Sequence, residues 1–394
     1  MSLERVVITG AGIVSAIGIG KENTLRALKN GQSGIGGVQY LHTSHTEYPV
    51  GEVKRSDEEM RLQLGISPMA YENRTSLLGI LAIQEALKEA GTGSRKLALV
   101  SGTTVGGMDQ TELHYPDALT VDDLHRHDCG ATTNLMADYF GNFDFTTTLS
   151  TACSSALNAI ILATRLIECG RRDIVVAGGS ECLTRFHLNG FKSLMILDEQ
   201  PCRPFDATRA GLNLGEGAGF LVLESETSAR QRGARILGVL TGCGNRCDAF
   251  HQTASSESGD GAYLSMTDAL KEAGLMPEDV DYVNAHGTGT PNNDASESKA
   301  LRRVFGSQLP PVSSTKGFTG HTTSASGGIE AVICLLSLLH QFIPRNMGWK
   351  QRDESCIVPF VHQEMPQHPI RNVLCNSFGF GGNDSSLILS RYGE

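Results

Sequence analysis

No unbroken apolar run of about 18 residues occurs in the chain, so the sequence predicts no transmembrane helix. Positive charge is in deficit: 33 Lys and Arg stand against 43 Asp and Glu, a formal net charge of −10. A broad phosphate-binding face is thereby disfavoured, and nucleic-acid binding with it. The opening residues, Met1 to Arg5, run straight into strand-like Val6-Val7-Ile8, without the layout of a secretory signal. The ten cysteines lack the spacing of a disulfide framework. Most are expected to be free buried thiols, and the expected location is the cytoplasm. Low-complexity tracts are also missing, and charged residues make up only 19%, so a large ordered core is expected.

What is present is length, glycine and alternation. At 394 residues the chain exceeds one ordinary domain core, and 45 glycines imply many tight turns and close backbone approaches. Short β-branched runs alternate with helical patterns, which predicts an α/β protein with buried sheets. Strands are expected at Val6–Thr9, Leu97–Ser101, Phe145–Leu149, Ile174–Ala177, Phe220–Leu223, Val280–Asn284 and Val373–Asn376. Helices are expected at Ser76–Ala90, Ser154–Glu168, Leu264–Ala273 and Ile329–Gln341.

The hexapeptide Ala-Leu-Lys-Glu-Ala-Gly occurs twice, beginning at Ala86 and again at Ala269. Each copy closes a helix with glycine, where a left-handed residue is wanted. A connector, a strand and a Gly/Thr-rich turn follow each copy, and the later elements also recur in the same order. Internal duplication accounts for this better than chance does. Two halves are expected, residues 1–240 and 241–394.

Cys153 lies in Leu149-Ser150-Thr151-Ala152-Cys153-Ser154-Ser155, between a strand and an amphipathic helix. At a helix start, free N–H groups and partial positive charge favour thiolate over thiol. His286 closes a strand and enters the loop Gly287-Thr288-Gly289-Thr290, and His321 ends Lys316-Gly317-Phe318-Thr319-Gly320-His321. The carboxyl end of a buried strand is where α/β folds place chemistry. A buried structural cysteine and two loop histidines are the ordinary alternatives. Three such sites in one chain weigh against them.

The segments around Cys153, His286 and His321, with Asn376-Ser377-Phe378-Gly379-Phe380-Gly381-Gly382, together resemble the signature set of the β-ketoacyl-acyl-carrier-protein synthases. The match is to the elongating, Cys-His-His branch, and it runs from Val6 to the C-terminus. The resemblance implies a thiolase-like fold of two duplicated α/β halves in five layers, αβαβα. It implies that Cys153 accepts an acyl group from a carrier thioester, and that a malonyl-carrier thioester then decarboxylates and condenses with it. His286 and His321 are implied to stabilise the enolate, with Lys316 and Glu330 supporting His321. The backbone N–H groups of Cys153 and Phe380 correspond to an oxyanion hole, and Phe380 to a gate. Thr288 and Thr290 match positions that bind the carrier's phosphopantetheine arm, and Phe191 falls where relatives line the acyl pocket. No metal and no resident cofactor are implied, the 4′-phosphopantetheine arriving on the carrier. The implied partners are acyl carrier protein and malonyl-acyl carrier protein, with a homodimer expected and a heterodimer with a related subunit possible.

The sequence departs from the family in three places. The usual Gly-Gly-Thr-Asn is Gly381-Gly382-Asn383-Asp384, Arg-Asp-Gly-Phe is replaced by Arg209-Ala210-Gly211-Leu212, and the basic cluster before the Ser76 helix is thin. Rival readings fare worse. Thr9-Gly10-Ala11-Gly12-Ile13-Val14-Ser15 imitates a dinucleotide fingerprint but lacks its third glycine and the acid for ribose. Cys243 to Cys247 and His125 to Cys129 lack a second ligand pair at zinc-site spacing. A catalytically silent partner subunit would lack the nucleophile, which is present. A thiolase would carry a second catalytic cysteine near its C-terminus, but Cys375 lies inside a strand.

Overall fold

The computed structural model describes residues 4–361 and 369–393. Its strands are β1 (Val6–Ser15), β2 (Gly18–Ile19), β3 (Leu97–Gly102), β4 (Phe143–Leu149), β5 (Ile174–Glu181), β6 (Gly217–Ser225), β7 (Gly238–Cys247), β8 (Tyr282–Asn284), β9 (Val312–Ser313), β10 (Asn372–Gly379) and β11 (Asn383–Ser390). Hydrogen bonding runs β4-β3-β5-β6-β1-β7-β11-β10-β8-β9, with β2 paired to β1. Strands β4-β3-β5-β6-β1 have the same order and the same senses as β9-β8-β10-β11-β7. In each set the first three strands are mutually parallel and the last two pairings are antiparallel. The two sets meet where Val6–Ile8 pairs antiparallel with Gly238–Leu240. A division at residue 240 therefore falls inside β7, the opening strand of the second set.

Helices complete the layers. Arg74–Ala90 covers β1 and β6 on one outer face, and Asp260–Ala273 covers β7 and β11 on the other. Between the two sets lie Ser155–Glu168 and Ser326–His340, packed on each other and on strands of both. This is the five-layer α/β arrangement expected. Thr323–His340 is long and apolar enough to cross a membrane, at mean hydropathy 1.3 over 18 residues, but 89% of it is buried at the centre of the fold. Apolar residues occur all round it because a central helix has no solvent face.

Glycine explains how closely the layers sit. A Cβ on Gly10 or Gly12 would lie 2.2 Å from the Ala86 carbonyl oxygen or 1.9 Å from that of Ala82. The second half repeats the device: Gly242 and Gly244 face the Ala269 and Ser265 carbonyls at 2.1 and 1.9 Å. The imitation dinucleotide fingerprint is thus continuous strand, glycine-rich because helix Arg74–Ala90 presses on it. A segment that stays in strand from Val6 to Ser15 does not form the strand-to-helix turn that a pyrophosphate needs. The repeated hexapeptides do end in left-handed glycines, Gly91 at φ 61° and Gly274 at φ 66°.

Several elements differ from the sequence expectation. The strand expected from Val280 begins at Tyr282, because Pro277–Asp279 forms a 3-10 turn just before it. The helix expected from Leu264 begins at Asp260, and that expected from Ile329 begins at Ser326. Helices at Met108–His114, Val121–His127 and Cys129–Phe140 are not expected from the sequence pattern, because none carries a strong apolar stripe. Cys243 and Cys247 lie in β7, and His125 to Cys129 spans the junction of two of these helices. Among the described residues no cluster suited to a metal ion occurs.

Candidate active site

Cys153 is placed by a strained turn between β4 and helix Ser155–Glu168. Ala152 adopts φ 51°, in the left-handed region, and the turn is pinned by Ser155 Oγ donating to the Ala152 carbonyl at 2.7 Å. Such strain persists only where surrounding contacts enforce it, and it is common at functional sites. Those contacts come from the other half of the chain. Ser377 Oγ donates to the Cys153 carbonyl at 3.0 Å, and the Asn383 side-chain oxygen accepts from Ser154 Oγ at 2.9 Å and Asn158 Nδ2 at 2.8 Å. Asn383, one of the sequence departures, therefore holds the turn that carries Cys153. Gly379 lies so near that a Cβ there would sit 3.2 Å from the Cys153 nitrogen.

His286 lies two residues past the end of β8, and its backbone N–H donates to Glu297 Oε1 at 2.9 Å while that of Gly287 donates to Oε2 at 2.8 Å. Glu297 comes from helix Pro291–Phe305 and is fully buried; burial pushes its carboxyl up to about 7. Lys316, which opens the short helix Lys316–Thr319, extends its ammonium inward. It donates to the His286 carbonyl at 2.5 Å and to Glu330 Oε1 at 2.5 Å, and lies 3.3 Å from His286 Nδ1. An ammonium has only protons to give, so Nδ1 of His286 is the acceptor and the ring carries its proton on Nε2. Burial raises the Glu330 carboxyl to about 7 against the opposing pull of Lys316.

His321 Nε2 lies 3.2 Å from Cys153 Sγ, and the rings of His286 and His321 stand edge to face, 5.3 Å between centroids. Burial holds both histidines well below the usual imidazole value, helped by the nearby Lys316 charge, so both are neutral near pH 7. The donors that the helix-start argument invokes are in place at Cys153, and burial opposes them. The sulfur is fully enclosed, and burial pushes its thiol up to about 11 despite Lys316 and the N–H groups of Phe380 and Cys153 that point toward it. Loss of hydration outweighs those donors. At neutral pH the group is a thiol beside a neutral imidazole.

These side chains face a cavity of about 320 Å³ that Thr288, Thr290, Phe191 and Phe380 also line. The Thr288 and Thr290 hydroxyls are 2.8 Å apart. Phe191, on helix Arg185–Ser193, stacks on Phe380 with 5.7 Å between ring centroids. A larger cleft of about 490 Å³, around Arg74, Asp109 and Glu216, shares no lining residue with it and holds neither Cys153 nor the two histidines. Arg74, the cation of the thin basic segment, is turned inward onto Glu216 and Asp57. Its charge is therefore spent inside the fold.

The geometry thus brings Cys153, His286, His321, Lys316 and Glu330 into one buried cluster, with Thr288, Thr290, Phe191 and Phe380 around its cavity. Sequence reasoning missed Glu297, Ser377 and Ser326, the last 3.0 Å from His321 Nδ1. Nothing in the local pattern marks Glu297, and the Asn376–Gly382 motif gives no sign that its Ser377 reaches the Cys153 carbonyl, which is distant in the chain. Ser326 lies five residues beyond His321, and only its place under the ring reveals its contact.

An enclosed thiol, a neutral imidazole in contact with it and a second imidazole beside the same cavity define an acyl-transfer site. Residues 3–229 match the Beta-ketoacyl synthase, N-terminal domain, and residues 237–350 match the Beta-ketoacyl synthase, C-terminal domain. The chain is 34% identical to 3-oxoacyl-[acyl-carrier-protein] synthase 2 of Vibrio cholerae, over 99% of this chain and 100% of that protein. Among solved structures, the ishigamide ketosynthase/chain length factor matches at TM-score 0.93 and 32% identity, covering 99% of this chain and 100% of that one. A type II polyketide acyl-carrier protein in complex with its ketosynthase bound to the hexaketide matches at TM-score 0.87 and 26% identity, covering 99% and 100%. This chain belongs to the β-ketoacyl synthase family, a family of acyltransferases.

Proposed function

We propose that this protein elongates carrier-bound acyl chains by decarboxylative Claisen condensation, in a fatty-acid or polyketide-type pathway. The carrying observation is the contact of His321 Nε2 with Cys153 Sγ beside His286, whose proton Lys316 places on Nε2. The Cys153 sulfur takes the acyl group from the carrier's phosphopantetheine thiol, with the N–H groups of Cys153 and Phe380 receiving the developing oxyanion. A malonyl-carrier thioester follows, its arm lying along Thr288 and Thr290. Loss of carbon dioxide leaves an enolate whose oxygen accepts hydrogen bonds from His286 and His321. Its carbon attacks the acyl-Cys153 carbonyl to give the β-ketoacyl carrier. Phe191, Ile196 and Leu212 supply the apolar wall for the acyl chain, and Phe380 gates it.

Acyl carrier protein is the partner in this reading, supported by the complex among the similar structures. A paired subunit, either a second copy or a chain-length-factor-like relative, belongs to the same proposal. So does a cytoplasmic setting, which ten unpaired cysteines favour, and so does operation without a resident cofactor. The test is incubation with an acyl-carrier thioester, followed by intact-mass measurement. One acyl mass should be added to the wild type and none to Cys153→Ala. His286→Ala should still be acylated yet condense about 100- to 1000-fold more slowly. Acylation of the Cys153→Ala protein would refute the assignment.

A further inference from the structure

The two histidines facing Cys153 are held from behind by different chemistry. Behind His286 stands the Lys316 ammonium, which can only donate. Behind His321 stands the Ser326 hydroxyl, 3.0 Å from Nδ1 and itself 3.2 Å from Thr322 Oγ1. Both hydroxyl residues are 2% exposed, so water does not replace them. A donor-only partner fixes one tautomer, whereas a hydroxyl donates or accepts as the ring requires.

We propose that Ser326 is a positioning residue that lets His321 carry its proton on either ring nitrogen, so that one histidine serves both halves of the reaction. The inference rests on the condensing activity proposed above and adds a residue and a proton role to it. The local backbone is built for this contact. Thr323, a β-branched residue, is held at φ 45°, and the 3-10 turn Thr323–Ala325 brings Ser326 back beneath the ring of His321. A β-branched side chain resists that conformation, so the turn must be enforced by its surroundings. Part of that enforcement is Ser324 Oγ, which donates to the buried Glu181 carboxylate.

In the acyl-transfer half, Nδ1–H of His321 donates to Ser326 Oγ and the Nε2 lone pair faces Sγ. The Cys153 thiol, pushed up to about 11 by burial, needs such a base near neutral pH. Its proton passes to Nε2 as the Cys153 sulfur bonds to the acyl carbon. The bond from that carbon to the carrier's sulfur breaks, and the leaving thiolate takes the proton from Nε2. Between the halves the ring takes one proton from solvent on Nε2 and releases its Nδ1 proton to solvent, so no net charge is gained. In the condensing half the proton is on Nε2, and Ser326 Oγ–H donates to Nδ1. The bond between the malonyl methylene carbon and its carboxylate breaks, and the electron pair enters the enolate, whose oxygen accepts from Nε2–H. The methylene carbon then bonds to the acyl carbon, the bond to the Cys153 sulfur breaks, and that thiolate takes one proton from solvent. In neither half is the buried Nδ1 left without a partner.

The two halves can be timed separately on the whole protein: acyl transfer to Cys153 by intact mass, and carbon dioxide release from malonyl-carrier. Ser326→Ala should slow both about tenfold at saturating carrier, with KM within about twofold of wild type. Nitrogen-15 spectra of histidine-labelled protein read the tautomers directly. Wild-type His321 should populate both forms and the Ser326→Ala protein one, with His286 unchanged. Rates within about twofold of wild type, or a loss confined to KM, would overturn the role of Ser326. If Ser326→Ala does not fold, a wild-type His321 locked in one tautomer before and after acylation overturns it equally. Acylation of Cys153→Ala would instead sink the functional reading, whereas an essential Cys153 with a normal Ser326→Ala protein removes only this inference.

Discussion

Replacing Asp384 by asparagine should stabilise this protein, and by more as the pH rises. Asp384 is the second residue of β11, two residues beyond Gly382, and is 4% exposed. Its carboxyl is packed so close to Gly261 that a Cβ there would lie 2.2 Å from Oδ2. Burial is the main cause that lifts this carboxyl from 3.8 to about 8, and the negative charges of Asp248 and Glu297 add to it. A folded-state value above the unfolded one means that the native state holds the proton more tightly. The group's contribution to stability is therefore whole below pH 3.8 and is lost as the pH climbs to about 8. Each pH unit crossed removes about 1.4 kcal/mol, so the ceiling is about 6 kcal/mol above pH 8 and about 4 kcal/mol at pH 7. Relaxation around the acid group will lower this, and about half is a reasonable expectation. Asparagine keeps the shape and does not titrate. Urea unfolding of the wild type and Asp384→Asn at pH 5, 6, 7 and 8 should show a gap that widens steadily to about 2 kcal/mol or more. A gap that is constant with pH, or that closes as pH rises, would refute the reasoning.

Two further expectations concern packing and the buried ion pair. Gly12→Ala and Gly244→Ala each drive a methyl against a helix carbonyl at 1.9 Å, and each should cost about 2 kcal/mol or more in urea unfolding. Gly36→Ala, whose added methyl meets nothing within 4 Å, should change stability by less than about 0.5 kcal/mol. Lys316→Met strands the Glu330 carboxyl and should cost about 3–5 kcal/mol, while adding Glu330→Gln should recover part of the loss. Strict additivity in that double-mutant cycle would show that the pair is not coupled.

Much of the fold was legible because its cause is local. β-branched runs became strands, the amphipathic stretch after Cys153 became a helix, and Gly91 and Gly274 ended helices as left-handed glycines do. The duplicated hexapeptide pointed to repetition, and both strand sets carry the same order. The motif around Thr9 to Ser15 shows the limit of local reading. Its glycines make room for helix Arg74–Ala90, and only the packed neighbour reveals that they do not build a nucleotide turn.

By itself the sequence determined where the candidate residues stand: Cys153 at a strand-to-helix turn, His286 after a buried strand, and Lys316 and His321 within one short glycine-containing segment. The tertiary structure set their burial and hydrogen-bond partners, on which the proposed roles rest. Cys153 is a thiol because the second half encloses its sulfur, and His286 is fixed in one tautomer because Lys316 reaches it across the loop. His321 is left switchable because a hydroxyl, and not a cation, stands behind its ring. Burial, charge and hydrogen-bond direction depend on groups remote in the chain. They take their values only when the two halves close on each other.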